Sequence, residues 1–441
     1  LHNWTMSSKA TTSLRAEQTA VSDGSSAGRT PIPVPEPDLT PQEMISRAVA
    51  LRPKLRAQQD ENDERGSYSE ELHQDFIKAG FYRCTQPRMF GGYEFDLATF
   101  YKVMTEIAAG HPGVGWCLGL AASHAFEIAS HWPEQAQIEL FGEDGHFIAP
   151  HRAPPMGTLT PVDGGYIMNG TWDYCSGVPY ATHFIGGAFI KREGEPPVHA
   201  HGIVPKGSYT ILDDWGGDRI LGMRASGSNS VRVDNVFVPE HHVGYLSAGL
   251  GSDPAGMEHG TPGTRLHGNP MYLGRLAGPF HATLVMPVVG AARAALDEYE
   301  EIITTRKTLS LPQITRYQHA DFQRSYVEAL TLTDAAEALM LKGCEMYHDY
   351  CDRWAKDGTP ITIEENMRLW GMIQQAGRMA CEAVELMFHT AGSSVARKGS
   401  RMQRYFNDVA MYRGHSSSQF DAFQSGLARL HFGLPWGMYG L

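Results

Sequence analysis

From Thr40 to Leu140 the apolar residues recur three or four positions apart, the period of helices that bury one face. Thr40-Pro41-Gln42-Glu43 carries a start signal: a threonine N-cap, a proline at the first helical position, and a glutamate placed to close a capping box. Ile45, Ala48, Leu51 and Leu55 then follow on one face. Further helices are predicted from Ser69 to Gly80, from Leu97 to Ala109, from Trp116 to Ala129 (entered at Pro112), and from Pro133 to Leu140, with Phe90-Gly91-Gly92 as a turn. This stretch reads as an all-helical layer.

After Gly145 the period shortens. Gly, Pro and β-branched residues dominate from Ala149 to Val243, and strands are predicted within 164–170, 184–190, 200–204, 209–212 and 231–238. In the last of these, Val231 and Val233 should face one way and Arg232 the other. A barrel-like sandwich is expected. Leu246 to Gly274 reads as a linker or active-site loop, because Gly249, Gly251 and Gly256 miss the G-x-G-x-x-G spacing of a phosphate loop. Helical spacing returns at Phe280–Thr305, Tyr317–Asp349 and Ile363–Phe388. Tyr326, Leu330, Thr333, Ala336 and Met340 line one face, and Trp370, Ile373, Gly377, Ala380, Val384 and Met387 another. With a helix after Ser400 these form a four-helix bundle. The predicted class is α+β: a flexible arm (1–38), an N-terminal helical domain (39–148), a central β domain (149–245), a loop (246–276) and a C-terminal bundle with tail (277–441).

Composition narrows the functional classes. The chain has 441 residues, 42% hydrophobic and 20% charged, enough for two or three domains with sizeable cores. A net charge of -12 with no basic tail or stripe argues against nucleic acid. Cys84, Cys117, Cys175, Cys344, Cys351 and Cys381 form no C-x-x-C pair, so reduced thiols in a cytoplasmic protein are expected. No apolar run reads as a membrane span or a signal peptide, and no membrane partner is expected. Met6 is a candidate start, with Leu1–Thr5 ahead of it read as a scar.

Several motifs, in order, resemble the acyl-CoA dehydrogenase fold. They are Pro87-Arg88-Met89-Phe90-Gly91-Gly92, Gly113-Val114-Gly115-Trp116, Gly170-Thr171-Trp172-Asp173-Tyr174-Cys175-Ser176-Gly177, Gly222-Met223-Arg224-Ala225-Ser226-Gly227-Ser228, Val236-Phe237-Val238-Pro239 and Arg404-Tyr405-Phe406-Asn407-Asp408. Within that fold the chain resembles the oxygenase components of two-component flavin-dependent monooxygenases, such as the 4-hydroxyphenylacetate hydroxylases. One departure is Ala225, where the family pattern has a glycine; alanine makes that turn less permissive.

The resemblance frames the chemistry. The dehydrogenase branch uses a glutamate about eight residues beyond the Arg-Asp pair to abstract an α-proton. No carboxylate lies between Asp408 and Asp421; His415 stands there instead. The monooxygenase branch uses a histidine at that position as substrate base, and a neutral imidazole suits a phenol proton. The plain alternative is a histidine satisfied at a helix end. The resemblance also implies that His124 and Trp116 line the flavin or substrate pocket, core packing being the rival for Trp116. Trp172 would run along the flavin ring, and Ser176 would bond its reactive nitrogen, unless Ser176 is only a turn serine. Arg306 would meet the flavin phosphate, against an exposed helix-end cation. Gly392, Ser393 and Ser394 would approach the flavin, against a plain helix cap. Arg404 and Asp408, four residues apart, read as a structural helix ion pair.

His199/His201 and His241/His242 lack a metal-ligand context, so metal is set aside. The implied activity is hydroxylation of a small aromatic, phenolic substrate through a flavin hydroperoxide, using O2 and FMNH2 or FADH2 from a separate reductase. A homotetramer built through the bundle is implied, with Leu434-Pro435-Trp436-Gly437-Met438-Tyr439 apolar enough to dock on a neighbour. The alternatives are a dehydrogenase with a relocated base, an N- or S-oxygenating relative, and a non-catalytic flavin-binding protein.

Overall fold

The computed structural model describes residues 30–245, 259–274 and 277–434, and residues from Ile32 onward belong to one unit. The predicted helical layer forms, and its first helix starts at the predicted cap. Helix α1 (Pro41–Ala57) starts at the Thr40–Glu43 capping box. It is followed by α2 (Gln59–Arg65), α3 (Glu70–Ala79, capped by Ser69), α4 (Leu97–Gly110, capped by Asp96), α5 (Pro112–His131) and α6 (Glu134–Phe141). The arm was expected to run to residue 38, but its last part packs on this layer. Ile32 donates its N–H to the Met89 carbonyl at 3.0 Å, and Ile32 and Val34 lie against the core. Helix α5 is buried almost all round, which makes it an internal strut and the natural carrier of a site.

The β segment is one mixed seven-stranded sheet in the order β5-β6-β2-β1-β3-β4-β7. Its strands are β1 (His151–Val162), β2 (Gly165–Trp172), β3 (His183–Ile190), β4 (Val198–Pro205), β5 (Thr210–Ile211), β6 (Val231–Pro239) and β7 (Val243–Gly244). Strand β1 runs parallel to β3 and was missed in the sequence. Pro154 and Pro155 lie within it, and its register on β3 shifts between Arg152 and Gly157, which breaks the alternation a strand would show. In β6, Val231 and Val233 are buried and Arg232 is exposed, as predicted. A bulge then resets the alternation: Asn235 adopts φ 54, and its N–H is held by Asn169 Oδ1 at 2.7 Å.

The expected loop 246–276 is partly helical. Thr261 caps α7 (Pro262–His267) with a capping box onto Thr264, while residues 246–258 lie outside the described residues. The bundle follows: α8 (Ala277–Thr305), α9 (Ala320–Asp357), α10 (Ile363–Ala391) and α11 (Arg401–Gly414), with α12 (Phe420–His431) packed on α10. Helix α8 is long and apolar enough to cross a membrane, which corrects the reading that no such run exists. However, 89% of its apolar window is buried inside the protein, so its hydrophobicity is met by core packing. All six cysteines are free and buried. The tail expected to dock on a neighbour lies, beyond Leu434, outside the described residues.

Candidate active site

Helix α11 ends at Gly414, and His415 is its C-cap, its N–H held by the Tyr412 carbonyl at 3.0 Å. This end of the helix meets α5. The His415 ring lies edge-on to Trp116, with centroids 6.0 Å apart. Trp116 Nε1–H donates to Ser176 Oγ at 3.1 Å, and Ser176 shares a hydrogen bond with Ser228 Oγ at 2.7 Å. Ser228 in turn meets Ser226 at 2.6 Å. Two predicted residues, Trp116 and Ser176, are thus joined in one polar chain, and the third, His415, meets it through the face of Trp116.

The turn that carries Ser226 and Ser228 is held by α11. Met223 adopts a left-handed φ of 50, and its N–H is accepted by Asp408 Oδ1 at 2.6 Å. The helix lies so close that a Cβ on Gly222 would sit 2.2 Å from the Asn407 carbonyl. Ala225, the departure from the family pattern, needs no left-handed backbone and packs against Gly113. Asp408 therefore ties the helix that presents His415 to the turn that presents the serines. The predicted ion pair with Arg404 is not its main partner. Arg404 reaches instead to Asp63 at 2.8 Å, to Gln59 Oε1 at 3.0 Å and to Asp60. Burial, with the neighbouring Asp63, pushes the Asp408 carboxyl up to about 8.

Burial and the nearby Arg152 guanidinium push the His415 imidazole down to about 4, so it is neutral near pH 7. Its unprotonated nitrogen can accept a proton, although burial makes it a weaker base than an exposed imidazole. Arg152 projects from β1, donates to Asp173 Oδ1 at 2.9 Å and lies 5.9 Å from the Tyr174 ring centroid. His281 of α8 is fully buried, hydrogen-bonded to Tyr412 at 3.1 Å and stacked on Trp370. Neither Arg152 nor His281 was flagged in the sequence, because each acquires its place only through packing of remote elements.

Two predictions are corrected. Trp172 does not line a cleft: it is fully buried in the β core, and its Nε1–H is held by the Gly187 carbonyl at 2.7 Å. Gly157 makes room for it, since a Cβ there would lie 2.3 Å from the ring. His124 does border a small cavity, with Tyr101, Ser123, Phe126 and Phe280. Yet its Nδ1 is held by the Ala149 carbonyl at 2.7 Å and its Nε2 lies 4.0 Å from Glu127, so both nitrogens are directed to protein groups. His124 is therefore placed as a network residue in place of a direct acid or base.

The remaining predicted residues form a second group. Helix α10 ends at Gly392 with φ 93, and exposed Ser393 and Ser394 follow. Arg306 Nη1–H donates to Ser394 Oγ at 2.6 Å, and Arg316 Nη1–H to the Ala391 carbonyl at 2.7 Å. Two guanidinium groups beside exposed hydroxyls and a glycine suit a phosphate. This group precedes α11 and His415 follows it; the 14-residue helix between them spans ~20 Å.

The profile "Acyl-CoA dehydrogenase, N-terminal domain" matches residues 42–141, and "Acyl-CoA dehydrogenase, C-terminal domain" matches 282–420. The oxygenase subunit HsaA, a flavin-dependent monooxygenase of Rhodococcus jostii, is 27% identical over 89% of this chain and 98% of its own length. The oxygenase component of p-hydroxyphenylacetate 3-hydroxylase from Acinetobacter baumannii is 24% identical, covering 90% of this chain and 91% of its own. Among solved structures, XiaF from Streptomyces sp. in complex with FADH2 and glycerol superposes with a TM-score of 0.78. It is 22% identical, over 90% of this chain and 96% of that one.

Proposed function

Because this chain belongs to the acyl-CoA dehydrogenase family, in its flavin-dependent monooxygenase branch, we propose that His415 is the base for oxygenation of a phenolic substrate. The protein is the oxygenase component of a two-component aromatic hydroxylase that uses O2 and reduced flavin supplied by a separate reductase. When bound, the reduced flavin supplies the electrons with which O2 delivers one oxygen atom to the substrate. The donor set fits such a cofactor shared between subunits: Trp116 with Ser176 would border the ring of one flavin, and Arg306, Arg316 and the Gly392–Ser394 turn would hold the phosphate of a neighbouring subunit's flavin.

The observation that carries this reading is the partly buried His415 at the end of α11, edge-on to Trp116, where thioester oxidation would need a carboxylate. In the proposed step the imidazole accepts the phenol proton, which raises electron density at the ring carbon to be oxygenated. Trp116 lies against the base, and the serine chain holds the Trp116 indole in place. The proposal includes a homotetramer in the cytoplasm. Loop residues Leu309 and Leu311, 91% and 88% exposed, support a packed neighbour.

The test supplies chemically reduced FMN or FAD anaerobically, then oxygen-18 gas and a panel of phenols. Labelled hydroxylated product is expected by mass spectrometry. Desaturation of an acyl-CoA with no labelled phenol product would refute the reading, and light scattering at working concentration tests the tetramer.

A further inference from the structure

Behind the cavity bordered by His124, helix α5 and strands β1 and β4 gather ionisable side chains away from solvent. His124 and Glu127 are three residues apart on α5 and so share a face. His151 opens β1 and His201 lies on β4. The His124, Glu127 and His151 side chains are only 3%, 1% and 1% exposed. Their candidate ligand atoms converge. His151 Nδ1 is 3.0 Å from Glu127 Oε1, His124 Nε2 is 4.0 Å from Glu127 Oε2, and all three lie within 4.8 Å of one another.

The outer nitrogens are also arranged. His124 Nδ1 must donate to the Ala149 carbonyl at 2.7 Å, since that oxygen can only accept, and this directs Nε2 toward the glutamate. His151 Nε2 lies 2.6 Å from His201 Nδ1. Imidazoles that bind metal are oriented by a partner on their other nitrogen, and both histidines have one. Bond lengths of about 2.0–2.2 Å to zinc place tetrahedral ligand atoms roughly 3.3–3.6 Å apart, inside the range this cluster spans. Two imidazoles and one carboxylate suit a divalent ion of borderline softness better than calcium or magnesium.

We propose that His124, Glu127 and His151 form a site for a divalent metal ion of the zinc class, joining α5 to β1, with His201 as the partner that orients His151. The pattern is H-x-x-E on a helix with the third ligand 24 residues further on, at the start of the strand missed in the sequence. The proposal stands apart from the assigned oxygenation and would survive its failure.

The experiment incubates the wild-type protein with Zn2+, dialyses it, measures bound metal by mass spectrometry and locates it by anomalous diffraction. One equivalent at His124, Glu127 and His151 is expected. His201→Gln should lower zinc affinity roughly 10- to 100-fold. Glu139→Gln, which alters the partly exposed Glu139–His241–His242 cluster, should leave this equivalent in place. Retention of no zinc, or zinc located only at Glu139, His241 and His242, overturns the assignment. The wild-type measurement decides the matter even if a variant folds poorly.

Discussion

Asp408 offers a sharp test, because one carboxyl oxygen holds the turn that completes the site. Asp408→Ala removes the acceptor 2.6 Å from the Met223 N–H, and Met223 is itself only 3% exposed. A buried donor left without a partner costs about 1–3 kcal/mol. The left-handed backbone at Met223, of similar cost, also loses what stabilises it, so a local loss of roughly 2–4 kcal/mol is expected. At 1.36 kcal/mol per tenfold, amide exchange in residues 222–228 should quicken roughly 30- to 1000-fold, as hydrogen-exchange mass spectrometry would read. Asp408→Asn keeps an oxygen for the same N–H and should stay within about 1 kcal/mol of wild type near pH 7. The pH dependence adds a second arm. With its folded value raised from 3.8 to about 8, chiefly by burial, Asp408 binds its proton more tightly in the fold than in the unfolded chain. Its contribution is therefore fully present below 3.8 and is lost as pH rises through about 8. The asparagine variant does not titrate, so it should gain on wild type between pH 6 and pH 9. Equal damage from alanine and asparagine, or unchanged exchange in the alanine variant, would refute the reasoning.

His415→Ala should leave flavin binding intact and slow hydroxylation roughly 10²- to 10⁴-fold, measured by single-turnover product formation. Arg306→Ala should weaken reduced-flavin affinity while the thermal midpoint holds, since the side chain is partly exposed; equilibrium titration checks both. Trp172→Ala should destabilise the β core by about 3–5 kcal/mol without a specific loss of flavin affinity, as chemical denaturation and titration would show. His111, His183, His267 and His415 are pushed down to about 4 and His281 to about 3, in each case chiefly by burial. The unfolded chain then binds more protons below 6.5, so stability should fall as pH drops from there toward 4, read as a steep decline in thermal midpoint.

What local chemistry can encode was legible in the chain itself. The Thr40 capping box, the helix start at Ser69 and the alternation of Val231 and Val233 each appear in the structure, because each depends on neighbours within a few residues. Thr261-Pro262-Gly263-Thr264 carries the same kind of signal within a stretch otherwise rich in glycine. The replacement of the family's glutamate by His415 was also readable, as it concerns which residue stands at a place. What that residue faces was decided by packing. Trp116, Ser176, Ser228 and His415 meet from a helix, a turn after a strand, a second turn and a helix end. Trp172 turned inward because glycines left space for it, and Asp408 turned from Arg404 to the Met223 amide. Periodicity and caps are set by short-range geometry, whereas contacts between groups dozens to hundreds of residues apart depend on how whole elements bury their apolar faces. The sequence therefore determined the elements and which residue stands at the base position; only the tertiary structure decided which side chains surround it.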